Sequence, residues 1–144
     1  MVATRLTLPH ALGAALVDEA RDAGGFEICG FIAAAAGGDN KPIVRYPIAN
    51  RAARAADRFD MDAAEQVAAF KRMRERGETL IAIYHSHPIG EAEPSTHDRR
   101  GHSYPDAAAV IAAPNARAAP IRAWRMTAAA PKEIAIAWAG APEV

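Results

Sequence analysis

A single cysteine, Cys29, stands among 144 residues. No intramolecular disulfide can form, and a lone thiol suits a reducing compartment, so cytoplasm is the default. Neither sign of charge is in excess, because Lys plus Arg and Asp plus Glu number 17 each. That balance supplies no overall field to draw in nucleic acid or an acidic membrane surface. Long apolar runs are missing too. The stretch after Arg5 is broken by Pro9 and followed closely by Asp18, Glu19 and Asp22, which fits neither a signal peptide nor a membrane span. There is no internal repeat. What remains is a chain with 51% of its residues apolar, enough for one domain, 1–144, with its own core and too short for two ordinary ones.

Local patterns divide this domain into strands and helices. Arg5 to Leu8 alternates as a short strand, and Pro9 suits the first turn of a helix, where its missing N–H is harmless. Leu12, Ala15, Leu16, Glu19, Ala20 and Ala23 recur at helical spacing until Gly24-Gly25. Phe26 to Ala35 reads as a buried strand, turned by Gly37-Gly38-Asp39-Asn40 into a second strand through Ile43 to Ile48. Asn50 to Arg58 has no clean period and reads as a mobile, arginine-bearing loop. Asp60 or Asp62 caps the next helix, with Val67, Phe70 and Met73 as its buried stripe and Gly77 as its end. Thr79 to Tyr84 is a central strand. Ala107 to Ala112, Ile121 to Met126 and Glu133 to Trp138 read as three more, which sums to an α/β or α+β layered domain.

The chemistry concentrates where the central strand ends, at Tyr84-His85-Ser86-His87-Pro88. Side chains alternate along a strand, so His85 and His87 can present their imidazoles to one point. A turn carrying Gly90 and Pro94 then brings back Ser95 and Asp98, whose Ser-x-x-Asp spacing suits the first turn of a helix. Two imidazoles, one carboxylate and an open fourth position make the ligand set of a catalytic zinc site. Each residue also has a plain structural reading. His85 and His87 can be strand-end histidines satisfied by the backbone, and Ser95 and Asp98 a helix cap with a dipole-favoured acid. Cys29 reads as a small buried hydrophobe rather than a nucleophile, since an apolar strand offers no electropositive setting.

His85-Ser86-His87-Pro88, the seven residues before Ser95 and the two more before Asp98 resemble the JAMM motif of MPN-domain metallopeptidases. Glu27, in Phe26-Glu27-Ile28-Cys29-Gly30-Phe31, is similar to that family's upstream glutamate, in wording closest to its small bacterial members. Weaker similarity runs through Asn50 and Phe59-Asp60-Met61-Asp62. The resemblance implies an MPN fold, a curved mixed β-sheet flanked by helices with a cytidine-deaminase-like layout. It also implies Zn2+ on His85, His87 and Asp98, Glu27 as general base, and Ser95 as a donor to the developing oxyanion, in rivalry with its capping role. The implied substrate is an amide bond after the C-terminal Gly-Gly of a ubiquitin-like sulfur carrier protein, either a carrier–cysteine adduct or a carrier precursor, its tail bound by strand addition beside the cleft. His97 and His102 are then solvated or supporting, and Glu91 and Glu93, as flexible turn residues, are poorer bases than Glu27. A non-catalytic MPN scaffold and a RadC-like DNA-associated protein are the rival classes, and the charge balance speaks against the second. No nucleic acid or membrane is expected as partner; a homodimer is left open.

Overall fold

The computed structural model describes residues 4–36, 42–127 and 129–140. β1 (Arg5–Pro9) turns Leu6 and Leu8 inward, and Pro9 stands at the N-cap of α1 (His10–Asp22). Leu12, Leu16 and Ala20 of α1 are buried, and Gly24 takes the positive φ of 67° that follows the helix end.

β2 (Cys29–Ala35) is buried along nearly its whole length and pairs antiparallel with β3 (Ile43–Ile48). The expected turn at Gly37 to Asn40 lies outside the described residues. The strand begins three residues later than the apolar run suggests. Phe26 is 60% exposed, and Glu27 and Ile28 precede the ladder, which ends where Cys29 meets Ile48 and His85. The physical cause is a side chain: Ser86 Oγ accepts the Ile28 N–H at 2.9 Å, taking the donor that a longer strand would need.

α2 (Ala63–Arg76) is capped by Asp62, which accepts from the Glu65 N–H, and closed by Gly77 at φ 67°. Its buried stripe differs from the expected one. Val67 is 69% exposed, whereas Ala69 and Met73 are buried and Phe70 is half-buried. Residues spaced by three drift about 60° backwards per step around a helix, so Val67, Phe70 and Met73 do not share one face. Gln66, Ala69, Phe70 and Met73 do.

β4 (Glu78–Ser86) lies between β2, antiparallel, and β5 (Ala108–Ala112), parallel. With β6 (Ile121–Arg125) and β7 (Lys132–Ala139) the described strands form one mixed sheet in the order β1-β7-β6-β5-β4-β2-β3. α3 (Thr96–Gly101) follows the turn after β4. One face of the sheet packs Leu8, Ile32, Tyr84 and Val110 around Leu16 of α1, and the other packs Phe31 and Ile83 against Met73 of α2. Each such side chain contributes roughly 1.5–3 kcal/mol by leaving water. From Ala82 to His85, β4 is paired on both sides. The open edges of the sheet are β1 and β3. No helix among the described residues is long and apolar enough to cross a membrane.

Gly30 shows how closely β2 and β4 approach. A Cβ there would lie 2.3 Å from the Tyr46 carbonyl oxygen and 2.6 Å from the Tyr84 ring. Only glycine lets that ring cross the strand and reach Glu19, to which the Tyr84 hydroxyl donates at 3.0 Å and which also pairs with Arg45.

Candidate metal centre

The carboxyl end of β4 delivers the two histidines. His85 is the penultimate strand residue, and His87 lies just past the end, held by its N–H to Ala112 O at 2.9 Å. Their Nε2 atoms stand 3.3 Å apart. Asp98 comes from α3 and places Oδ2 3.1 Å from His85 Nε2 and 3.0 Å from His87 Nε2. The turn that carries Asp98 back is firmly tied. Ser95 and Asp98 form a reciprocal capping box: Ser95 Oγ accepts from the Asp98 N–H at 3.0 Å and Asp98 Oδ2 from the Ser95 N–H at 2.9 Å. The capping role read from the sequence is therefore real. It coexists with the convergence of Asp98 on the histidines, and the hydroxyl hydrogen of Ser95 is still available to donate.

The turn between the histidines and Ser95 is not a loose one. Asn115 Nδ2 donates to Pro88 O at 3.0 Å and Trp124 Nε1 donates to Ala92 O at 2.8 Å. The carboxylate of Glu91 accepts the N–H groups of Arg117 and Ala118, both at 2.9 Å, and these bonds hold its acid below the usual range. Glu93 pairs with Arg122 at 3.1 Å. Neither glutamate is the flexible turn residue that its sequence setting suggests. Glu91 has a further part in the site, because its carbonyl lies 2.8 Å from His87 Nδ1. With Nδ1–H donated there, a neutral His87 ring would have its Nε2 lone pair free to ligate a metal ion.

Electrostatics then decide what this arrangement can hold. His85 is buried beneath Phe59, whose ring stacks at 4.5 Å between centroids. Desolvation lowers its pKa and favours the neutral, ligating imidazole. In His87 desolvation also acts downward, but the hydrogen bonds to Asp98 and to the Glu91 carbonyl raise the pKa above its ordinary value. Burial would raise the Asp98 pKa, yet the two histidines and the Ser95 N–H outweigh it and hold the carboxyl well below the usual range. Asp98 is thus a permanent anion facing two nitrogens.

A divalent ion fits these residues. The three facing atoms are separated by 3.0 to 3.3 Å, and the edge of a tetrahedron with ligand bonds of about 2.0 Å is about 3.3 Å. Among the described residues, His85, His87 and Asp98 form the group able to hold a metal. A second observation concerns Glu27. It is buried, its Oε1 has no hydrogen-bond partner among the described residues, and burial pushes its carboxyl up to about 8 against the downward pull of His87. An unpaired buried carboxyl oxygen costs about 1–3 kcal/mol, a cost that a nearby cation offsets. Glu27, His87 and Ser95 line one open groove, with Pro88 and Ile89 on its wall.

The remaining sequence candidates fall aside. His97 is exposed, and His102 Nε2 bonds the Ala107 carbonyl at 3.0 Å. Cys29 is fully buried, with Sγ 3.4 Å from Ile48 O and its thiol pushed up to about 12, mainly by burial. Ser86, Phe59 and Asn50 support the site without having been singled out for it by spacing. No local pattern marks Ser86, since its partner Ile28 is distant in sequence.

Residues 9–127 match the family of prokaryotic homologs of the JAB domain. The chain is 27% identical over 124 residues to a desampylase from Haloferax volcanii, covering 81% of this chain and 86% of the other. It is 35% identical over 97 residues to the CysO-cysteine peptidase of Mycobacterium tuberculosis, covering 67% of this chain and 65% of the other, just under two thirds of that relative's length. Among solved structures, a protein from Desulfitobacterium hafniense superposes with a TM-score of 0.81 at 27% identity, covering 96% of this chain and 95% of the other. A JAB1/MPN domain protein from Archaeoglobus fulgidus shares the fold with a TM-score of 0.57 at 11% identity, over 95% and 100% of the two chains.

Proposed function

The chain belongs to the prokaryotic JAB-domain family of JAMM/MPN type and is a hydrolase, and from that premise we propose that it is a zinc-dependent peptidase. Its substrate in this reading is the amide bond after the C-terminal Gly-Gly of a ubiquitin-like sulfur carrier protein, as a carrier–cysteine adduct or a carrier precursor. The observation that carries the reading is the convergence of His85, His87 and Asp98 within 3.0 to 3.3 Å of one another, with His87 lining the same groove as Glu27, whose buried Oε1 has no hydrogen-bond partner among the described residues.

His85 Nε2, His87 Nε2 and Asp98 Oδ2 would hold the ion. Zinc bound there supplies Lewis acidity, polarising a carbonyl and bringing the pKa of water to about 7. The protein's own residues manage protons and orientation. Glu27 takes the proton of the attacking water on its carboxylate and returns it to the leaving amine nitrogen. Burial favours the protonated form of this carboxyl, and a cation held by His85, His87 and Asp98 would favour the ionised form that accepts the proton. Ser95 donates its hydroxyl hydrogen to the oxygen of the scissile carbonyl as charge develops, while its Oγ continues to accept from the Asp98 N–H. Glu91 fixes the tautomer of His87.

Support for a protein substrate comes from the groove mouth and from the relatives. Ile89 is 91% exposed on the groove wall, and Phe26, next to Glu27, is 60% exposed. Exposed apolar residues beside a polar centre suit contact with another protein. The relatives' names, desampylase and CysO-cysteine peptidase, agree with a small-protein carrier as partner. A place in cysteine biosynthesis and in the cytoplasm follows from this reading and is in keeping with the buried free thiol.

Elemental analysis of wild type and His87→Ala tests the proposal, together with mass spectrometry of a Gly-Gly carrier extended by cysteine or by a short peptide. About one zinc per wild-type chain is expected, lost in the variant together with cleavage after the terminal glycine. Zinc without cleavage of any carrier would keep the site and discard the substrate. Failure to take up added zinc would remove the peptidase reading.

A further inference from the structure

Unlike His85 in β4 and Asp98 in α3, Glu27 lies in no regular element. The β2 ladder stops at Cys29, and the Glu27 Oε1 has no hydrogen-bond partner of its own among the described residues. Its direction toward the groove therefore depends on its backbone. Both of its backbone hydrogen bonds run to the same irregular segment: the Glu27 N–H donates to Ala55 O at 2.7 Å, and the Glu27 carbonyl accepts from Asn50 Nδ2 at 3.0 Å.

Asn50 also builds the segment that it ties to Glu27. Its Nδ2 donates a second hydrogen bond to Arg58 O at 2.9 Å, and its Oδ1 accepts from the Ala52 N–H at 3.0 Å and the Asp60 N–H at 2.9 Å. Two carbonyls face the nitrogen and two N–H groups face the oxygen, which fixes the orientation of the carboxamide and uses its full capacity. The loop's base is closed further by Arg51 N to Asp60 O at 2.7 Å and by the bridge between Asn50 and Met61. The stretch expected as a loop from Asn50 to Arg58 is irregular, and hydrogen bonds tie its base. By folding residues 51–60 the Asn50 oxygen brings Ala55 O to the Glu27 N–H, while its nitrogen holds the Glu27 carbonyl directly. The following residue is anchored independently, Ile28 N–H to Ser86 Oγ.

We infer that Asn50 is the positioning residue for Glu27, holding the proton-transferring carboxylate at the groove through the Glu27 backbone. This rests on the reading of Glu27 as the base. Chemistry singles out asparagine here. Aspartate has the acceptors but no donor, serine has one short donor, and glutamine places the same groups one methylene too far.

The test uses Asn50→Asp, which keeps acceptors for Ala52 N–H and Asp60 N–H but loses the donors to Glu27 O and Arg58 O, and so cuts the tether to the Glu27 carbonyl and loosens the loop that carries Ala55 O. Cleavage of the Gly-Gly carrier by Asn50→Asp is expected to show kcat lower by about 10- to 100-fold, with KM and zinc affinity near wild type. In the Glu27→Gln background the same change should lower kcat no further, because the group being positioned is already gone. A readout independent of activity comes from amide hydrogen exchange on protein stripped of metal. The Glu27 amide should lose about tenfold or more of its protection in Asn50→Asp, while the Ile28 amide on Ser86 keeps its own. Should Asn50→Asp fail to fold, Asn50→Ser, which cannot reach Glu27 O and Arg58 O together, is measured in the same three ways. A kcat within twofold of wild type, an equal fold-loss in both backgrounds, or unchanged Glu27 protection would each overturn the inference. The two readings separate cleanly. If Glu27→Gln retains full kcat, the base assignment is wrong; if it loses kcat and the Asn50 variants do not, only the positioning role is wrong.

Discussion

Replacing Glu27 by glutamine should make the metal-free protein more stable at alkaline pH even as it disables catalysis. In the folded chain burial pushes this carboxyl from 4.5 up to about 8, whereas in the unfolded chain it ionises near its ordinary value. Between those two values the folded state holds a proton that the unfolded state has released. Stability therefore falls as pH rises from about 4.5, and the loss is complete above about 8. Converted in full, the gap is worth roughly 5 kcal/mol, and relaxation and water at the open groove cut this to about 2 kcal/mol. Glutamine cannot ionise, so chelated Glu27→Gln should melt about 6 °C above chelated wild type at pH 8.5 and close to it at pH 5. Added zinc should narrow the difference, since a cation offsets the buried anion, while kcat of the loaded variant falls about 10²- to 10⁴-fold. The assay is thermal unfolding by circular dichroism at both pH values with and without chelator. A difference between the two proteins that does not change with pH would refute the picture of Glu27 as a buried, proton-holding acid.

Other residues give independent checks. Gly30→Ala should destabilise by about 3 kcal/mol or more, because the added methyl meets the Tyr46 carbonyl at 2.3 Å and the Tyr84 ring at 2.6 Å; denaturant unfolding close to wild type would contradict that packing. Ser95→Ala should lose about 1 kcal/mol through its cap and about 10²- to 10³-fold in kcat through its hydroxyl. Ser95→Asp separates the two, restoring a cap acceptor without any donor, and recovery of kcat in it would reduce Ser95 to a cap. Glu91→Ala frees the Arg117 and Ala118 N–H groups and loosens the carbonyl on His87. It should weaken zinc binding about 10- to 100-fold in a competition titration with a coloured chelator, and unchanged affinity would show that His87 needs no such support.

The local chemistry of the sequence determined the elements and the centre of the site. The alternation that ends at His85-Ser86-His87 puts two imidazoles on one point, and Ser95-x-x-Asp98 writes a helix start; both are short-range rules of strand and helix geometry that need no distant partner. The paired strands β2 and β3 and the helix ends at Gly24 and Gly77 were legible for the same reason. What the tertiary structure alone decided depends on partners far away in the chain. Helix geometry already keeps Val67 off the face of Ala69 and Met73, and the sheet beneath α2 decides that this face is the buried one. The apolar run from Phe26 does not reveal that Ser86 takes the Ile28 N–H and ends the strand at Cys29, leaving Glu27 to be held by Asn50 and Ala55. Nor does a turn rich in proline and glutamate show that Glu91 is tied to residues 117 and 118, so that its carbonyl can orient His87. The candidate ligands His85, His87 and Asp98 were legible from strand alternation, a helix start and the resemblance to the JAMM motif, all of them local in the sequence. The rigidity that makes those ligands a site comes from hydrogen bonds between segments that only folding brings together.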